Sequence, residues 1–360
     1  MKDLNEIRKE INRIDSEMRK LFSERMAAAK NVAEYKIAHG LPILDATRET
    51  EVIEKNAALL EDEELRTYYV NFLQGNMAVS RSYQDMLING MKVAYSGVAG
   101  AFAYIAACKT FPNARKIAYG NFEEAYEACV RGECDAVVLP IENSYNGEVG
   151  AVTDLMFSGP LFVNGIVDID ISHCLLGVEG ASMSNVNTVV SHPQALAQCN
   201  NYIRNHDFSE VEYENTALAA EYVAKTNDIT IAAIGSESAA EIFGLKILEK
   251  NITESRTNTT RFAIFSRSEH KHSENGYGIY SIILFTVRNE AGALAKALDI
   301  VGKHGFNMRT LRSRPMKELM WEYYFYIEAE GNVNSKEGRR MIEDLEEYCP
   351  KVKIIGSYLK

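Results

Sequence analysis

Apolar residues recur at Ile7, Ile11, Ile14, Met18 and Leu21, at spacings of four, three, four and three. That is the stripe of a helix packed along one face. Residues 4–38 hold neither proline nor glycine, so one unbroken helix is expected, stopped by Gly40 and Pro42. A second helix is expected from Asp45, a good N-cap. A third should run from Glu63 to Ile88, with Leu65, Tyr69, Phe72, Leu73 and Val79 on its apolar side. After Asn89-Gly90 the period changes. Strands are expected at 92–96, 116–119, 136–141 and 161–171, with helices over 101–111, 121–131 and 150–157. A second set follows, with strands 186–190, 211–214 and 229–234 and helices 194–205 and 216–226. Such alternation implies α/β layers with mostly parallel sheets, and two sets imply two lobes with a cleft between them. Beyond a polar linker at 268–278, strands 279–287, 306–312, 321–328 and 352–358 enclose helices 291–304 and 335–348. The order βαββαβ is that of a ferredoxin-like α+β module.

Charge complicates the first helix. Extending its stripe gives Arg25, Ala28, Val32 and Lys36. Arg25 and Lys36 are eleven residues apart, which at ~100° per residue leaves them within about 20° of each other. A buried unpaired charge is costly. Either the two cations snorkel to water, or they line an anion site inside a helical bundle. Asp45, Arg48 and Glu49 share the first turn of the second helix, and Ser80 and Gln84 lie four apart on the third. Arg8 stands near the start of the first helix.

These residues, from Arg8 through Asp15, Ser23-Glu24-Arg25, Lys36 and Asp45-x-x-Arg48-Glu49 to Ser80 and Gln84, resemble the all-helical chorismate mutase family across residues 1–90. The resemblance implies an obligate dimer of interlocked helices in which each site borrows one arginine from the partner, Arg8 by position. It implies a rearrangement of chorismate to prephenate with no nucleophile and no proton transfer. Catalysis must then come from holding a compact conformer and stabilising charge on the ether oxygen. Arg8, Arg25 and Arg48 suit the two carboxylates, since guanidinium pairs bidentately. Lys36 and Gln84 suit the ether oxygen, and Glu49 the substrate hydroxyl. Asp45 and Ser80 are expected to help bind substrate.

Composition narrows the partners. The 360 residues suffice for two or three domains. A net charge of −11 without a Lys/Arg block excludes nucleic acid as the main partner. The six cysteines form no C-x-x-C pair and point to reduced thiols rather than zinc. No apolar run reaches ~18 residues, so no membrane span is expected, and the reading is a cytoplasmic protein. Gly97-x-x-Gly100 after a strand could cradle an anion at a helix N-terminus, but neither a dinucleotide fingerprint nor a Walker lysine is present. No cofactor and no metal are expected.

Polar islands mark the ends of the middle strands, where α/β sites form. They are Pro140-Ile141-Glu142-Asn143-Ser144, Ser191-His192-Pro193-Gln194, Gln198-Cys199 and Thr259-Thr260-Arg261-Phe262. Each also reads as strand-end or capping structure. Together with Asp170-x-Ser172-His173-Cys174-Leu175-Leu176 they resemble prephenate dehydratase over residues 92–268. That resemblance implies two lobes like a periplasmic binding protein, substrate in the cleft, and no metal or organic cofactor. Thr260 is the family's catalytic threonine by position, a hydrogen-bond donor to the departing hydroxyl. Asn143, Gln198 and Ser191 are expected to orient substrate, with Glu142, His192, Arg261 and Phe262 also at the substrate. For Arg261 and His192 a structural role stands beside the functional one. The family commonly has hydroxyl residues where this chain has Ala101 and Ala103.

The last module resembles an ACT domain. Gly292-Ala293-Leu294-Ala295 matches that family's glycine segment, and Arg312-Ser313-Arg314-Pro315 stands where Glu-Ser-Arg-Pro is usual. L-phenylalanine at these eight residues is the expected effector; a purely structural dimerisation module is the alternative. The expected architecture is therefore a helical mutase domain at 1–90, a dehydratase domain at 91–268 and an ACT domain at 269–360. The expected function is a bifunctional enzyme carrying chorismate through prephenate to phenylpyruvate, acting as a homodimer, with a tetramer left open. The alternatives are a ligand-sensing regulator without turnover and a dehydratase preferring arogenate.

Overall fold

The computed structural model describes residues 3–254, 257–273, 278–316 and 323–360. Two compact units divide at Met91/Lys92. The first is built from α1 (Leu4–His39), α2 (Ala46–Ala58) and α3 (Glu63–Asn89). Gly40 closes α1 in the left-handed conformation, and the side chains of Asp45 and Asp62 cap α2 and α3. Packing of α1 uses Arg25, Met26, Ala29, Ala33 and Lys36. Ala28 and Val32, expected on this face, point outward: the buried row lies one position along. On α3 the inner row is Tyr69, Leu73, Met77, Ser80 and Gln84, while Leu65, Phe72 and Val79 are exposed. The N-terminal stripe of α1 stays open, with Ile11 50% and Leu21 63% exposed.

The second unit holds the two lobes and the C-terminal module. Lobe I runs β1 (Lys92–Ser96), α4 (Phe102–Thr110), β2 (Arg115–Tyr119), α5 (Phe122–Val130), β3 (Ala136–Asn143), β4 (Gly147–Glu148), α6 (Gly150–Ser158) and β5 (Phe162–Asp170). Lobe II follows with β6 (Cys174–Gly177), β7 (Thr188–Ser191), α7 (Pro193–Gln198), α8 (Asn200–Asn205), β8 (Ser209–Glu212), α9 (Thr216–Thr226), β9 (Ile231–Gly235), α10 (Glu237–Phe243) and β10 (Lys246–Glu249). The chain then returns to lobe I through β11 (Thr259–Ser266). The sheet of lobe II has the order β10-β6-β9-β7-β8. A single expected helix over 194–205 is two, broken at Cys199. The all-buried strand β6 has no alternation to betray it, and the sequence reading missed it.

The C-terminal module is β12 (Ile279–Thr286), α11 (Ala293–Lys303), β13 (Asn307–Pro315), β14 (Tyr323–Glu330), α12 (Lys336–Tyr348) and β15 (Lys351–Leu359). The expected start of its third strand at Trp321 and residues 274–277 of the linker lie outside the described residues. Its antiparallel strands run β13-β14-β12-β15, the ferredoxin-like order, and continue into lobe I as β5-β11-β3-β1-β2. The join is a single parallel contact, Gly356 beside Val163. Gly356 has φ +142°, and a Cβ there would sit 2.1 Å from the Val163 carbonyl oxygen, so only glycine permits this approach. One apolar core joins lobe I to the near face of the module, through Ile282, Leu284, Tyr324, Tyr326, Ile355 and Tyr358; others fill lobe II and the module's far face. No helix among the described residues is long and apolar enough to cross a membrane.

Candidate active site

In the helical unit, half-buried Arg25 donates to the Asn76 carbonyl at 3.1 Å and to the Ser80 hydroxyl. Lys36 donates to the Ile43 carbonyl, which folds the α1–α2 loop over the ammonium. Glu49 accepts from Arg81 through both carboxylate oxygens. Arg81 was missed by the sequence reading, because one arginine on a helix otherwise reads as solvated surface. Gln84 is 8% exposed, and its Oε1 meets no hydrogen-bond partner among the described residues. Asp45 is spent on the N-cap, accepting the Arg48 amide at 3.0 Å. Arg48 points outward to Glu51 at 3.4 Å, both exposed, and not toward Arg25 or Lys36. Arg8 is exposed and lies 17 residues before Arg25, about 25 Å along the helix at ~1.5 Å per residue.

A cavity of about 350 Å³ lies between the lobes of the second unit. On the lobe I side it is lined by Gly97, Ala101, Phe102, Ala103, Asn143, Thr260 and Phe262. On the lobe II side it is lined by His192, Gln194, Gln198, Glu214 and Asn215, with His173 where the chain crosses. Gly100 holds the lobes together here. Its φ is +87°, a Cβ would come within 3.1 Å of the Ala239 backbone, and its carbonyl accepts the Ser236 hydroxyl at 2.8 Å.

At the cavity floor Thr260 faces Asn143 across paired strands. The Asn143 carbonyl oxygen accepts the amides of Tyr145 and Asn146, both at 3.0 Å. This fixes the side-chain flip. The Asn143 amino group therefore donates, at 2.8 Å each, to Thr260 Oγ1 and Asn258 Oδ1. Because Thr260 Oγ1 accepts that bond, its own proton is left to donate elsewhere.

His173 is 2% exposed and stacks edge-on against Phe102. Its Nε2 pairs with Gln198 Oε1 at 3.1 Å, and its Nδ1 meets no partner among the described residues. Burial pushes its pKa down, with the Gln198 bond acting weakly the other way, so the ring is neutral. The sequence reading quoted His173 within a motif but assigned it no role. His192 caps α7, its Nδ1 accepting the Gln194 amide at 3.2 Å. Among the described lining residues there is no lysine or arginine. The N-terminus of α4 meets the cavity at Ala101–Ala103 and lacks a side-chain cap, leaving amides suited to an anion.

Three expected substrate contacts face elsewhere. Ser191 is fully buried, and its hydroxyl donates to the Ile234 carbonyl at 2.6 Å. Glu142 and Arg261 alternate with Asn143 and Thr260 on paired strands, and so lie on the opposite side of the sheet. There Arg261 meets Glu328 of the C-terminal module, and Glu142 meets Arg312. Arg314 is likewise taken, by Asp154 at 2.9 Å. Of the expected effector residues, then, Arg312 and Arg314 dock on lobe I, while Ser313 is exposed. Gly292, Ala293 and Ala295 open α11, and Leu294 lines a separate cavity of about 340 Å³ with Arg288, Glu290, Tyr323 and Phe325. Pro315 borders another cavity beside Phe157 and Tyr324.

Comparison with known proteins agrees with the two-part layout. Residues 7–85 match the family model for chorismate mutase type II, and residues 93–270 match that for prephenate dehydratase. A bifunctional chorismate mutase/prephenate dehydratase of Buchnera aphidicola subsp. Schizaphis graminum is 31% identical, covering 99% of this chain and 96% of its own. The chain belongs to the bifunctional chorismate mutase/prephenate dehydratase family. Among solved structures, prephenate dehydratase from Arthrobacter aurescens, in complex with L-Phe, is 26% identical with a TM-score of 0.69, covering 75% of this chain and 90% of its own. A protein described as a novel type of quorum quenching acylase is 30% identical with a TM-score of 0.70, over 74% of this chain and 97% of its own. For a bifunctional chorismate mutase/prephenate dehydratase, the Arg25–Ser80–Gln84 cluster and the Thr260 cavity are the two natural places to look for chemistry.

Proposed function

We propose the following division of labour between the two activities of this chorismate mutase and prephenate dehydratase of phenylalanine biosynthesis. In the helical unit, Arg25 and Lys36 meet substrate carboxylate and ether oxygen, and the neutral Gln84 amide donates to the ether oxygen as it gains charge. Ser80 orients Arg25, and Glu49, held by Arg81, serves the substrate hydroxyl. Arg48, turned to Glu51, is left outside this set. Arg8 is too far along α1 to reach Arg25 of its own chain. It joins the site from a second copy, which also covers the exposed stripe of Ile7, Ile11, Ile14, Met18 and Leu21. Each such side chain contributes about 1.5–3 kcal/mol when fully buried, which supports a dimer.

In the cleft, prephenate loses carbon dioxide and its ring hydroxyl together, driven by the aromatic ring that forms. Thr260 donates its hydrogen bond to the departing hydroxyl. The carrying observation is the 2.8 Å bond from the Asn143 amino group into Thr260 Oγ1, which polarises the hydroxyl and points its proton outward. Neutral His173 orients the substrate together with His192 and Gln198, and Phe262 shapes the floor. The uncapped amides of α4 receive a carboxylate, filling the role of the hydroxyls missing at Ala101 and Ala103. Among the described lining residues no lysine or arginine pins the carboxylate that must leave, which favours its departure. The C-terminal module acts as an ACT domain that senses L-phenylalanine around Gly292–Ala295; the Arthrobacter relative, solved with L-Phe, supports this. Arg312 and Arg314, occupied by lobe I, are outside that site.

The test follows chorismate loss and phenylpyruvate formation separately, with and without L-phenylalanine. Both should proceed, and the second should fall with L-phenylalanine. Accumulated prephenate would show that the cleft lacks the assigned activity.

A further inference from the structure

The back of the catalytic strands carries a charge cluster that the mechanism does not use. Arg261 follows Thr260 on β11, and Glu142 precedes Asn143 on β3; the register pairs Thr260 with Asn143 and Arg261 with Glu142. Arg261 donates to both carboxylate oxygens of Glu328, each at 3.0 Å, to the Tyr358 hydroxyl at 3.0 Å, and to Glu142 at 3.3 Å. Its Nε lies 3.8 Å from Asp168 on β5. Glu328 is fully buried and accepts a further bond from Tyr358 at 2.6 Å. Arg312 reaches Glu142 at 2.5 Å and lies over the Tyr326 ring. Desolvation would raise the Glu328 carboxyl, but the bonds from Arg261 and Tyr358 outweigh it and hold the group below its usual value, ionised.

Buried ion pairs are poor sources of stability, since well-packed apolar residues of the same volume often do as well. They do impose geometry. A bidentate Arg–carboxylate pair tolerates little rotation, and each clamped residue is one peptide away from a member of the Thr260–Asn143 pair. We propose that Glu328 and Arg312, both from the C-terminal module, are positioning residues for the dehydratase reaction, fixing Thr260 and Asn143 from behind the sheet. The module thereby completes the active site rather than only reporting on an effector. This rests on the assignment of Thr260 as the donor to the leaving hydroxyl.

The experiment is dehydratase kinetics on the full-length Glu328→Gln, Arg312→Glu and Arg312→Lys variants, with Thr260→Val alongside. Misplacement of a catalytic group by ~1 Å can cost about 10²-fold. Glu328→Gln and Arg312→Glu should therefore lower kcat about 10- to 100-fold, with KM for prephenate within about twofold of wild type. Arg312→Lys, which keeps a cation for Glu142, should retain most of the activity that Arg312→Glu loses. Unchanged kcat in both folded variants overturns the proposal. So does a loss that tracks melting temperature across the series, or an Arg312→Lys variant as impaired as Arg312→Glu. If Glu328→Gln does not fold, the two Arg312 variants decide alone. If Thr260→Val keeps full activity, the assignment of the donor has failed instead.

Discussion

Thr260 and His173 both line the cleft but do different work. Thr260 is 9% exposed, and the Asn143 amino group fills its acceptor side. Thr260→Val preserves shape and removes the hydroxyl. Loss of one donor to a developing negative charge costs about 10²–10³ in kcat, so dehydratase turnover should fall by that factor, Thr260→Ser should keep most of it, and chorismate loss should be unchanged. His173 carries a different signature. Its pKa in the folded protein lies below the free value of 6.5 because burial disfavours the cation. Below that free value the unfolded chain binds a proton that the folded chain refuses. Stability therefore rises with pH through this range, and it is lost as pH drops from about 6.5 toward the lower folded pKa. Melting of the second unit should shift down between pH 7 and pH 5. His173→Gln should flatten that slope, and an unchanged slope in the variant would assign the effect to other groups.

At the scale of elements, the chain order, the helix starts at Asp45 and Glu63 and the βαββαβ module were legible, because caps, turn glycines and apolar periods are local signals. Which face a residue takes was legible only where one face is wet. Strand β11 is covered on both sides, with Thr260, Phe262 and Phe265 buried and Arg261 tied to Glu328. Its sequence therefore carries no polar alternation to separate cavity from back. Thr260-Arg261-Phe262 reads as one site, yet the pleat sends its middle residue to the C-terminal module. Ser191 and Glu142 misled for the same reason. On α1 the error was smaller. Met26, Ala29 and Ala33 hold the buried row, and a run of small residues lets the register shift by one without changing its apolar look. The open N-terminal stripe of α1 gives an element-scale prediction. Ile14→Glu places a carboxylate among Ile7, Ile11, Met18 and Leu21, where a partner would have to bury it. Size-exclusion with light scattering should show loss of the dimer. Chorismate mutase activity should drop with it, while added prephenate is still turned over. A dimer that persists with full mutase activity would place the interface elsewhere.

At the scale of the whole molecule, the proposed mutase site calls on a second copy. The described lining of the dehydratase cavity runs from Ser96 to Phe262. The mutase cluster of Arg25, Lys36, Ser80 and Gln84 contains no second arginine: Arg48 has turned to Glu51, and Arg81 is bound to Glu49. A dianion held by Arg25 alone would be undermatched, since each carboxylate has room for a bidentate guanidinium. In the proposed site Arg8 meets that need from the second copy. Mixing two inactive proteins tests this. Arg8→Ala and Arg25→Ala homodimers should each lose most mutase activity. In a heterodimer, one site collects both defects and the other is intact. Random reassortment of two-fold dimers makes about half of them mixed, each with one working site of two. Co-refolded Arg8→Ala and Arg25→Ala chains should therefore recover about a quarter of wild-type mutase activity, with dehydratase activity constant throughout. Recovery near zero would mean that both arginines serve the same chain's site.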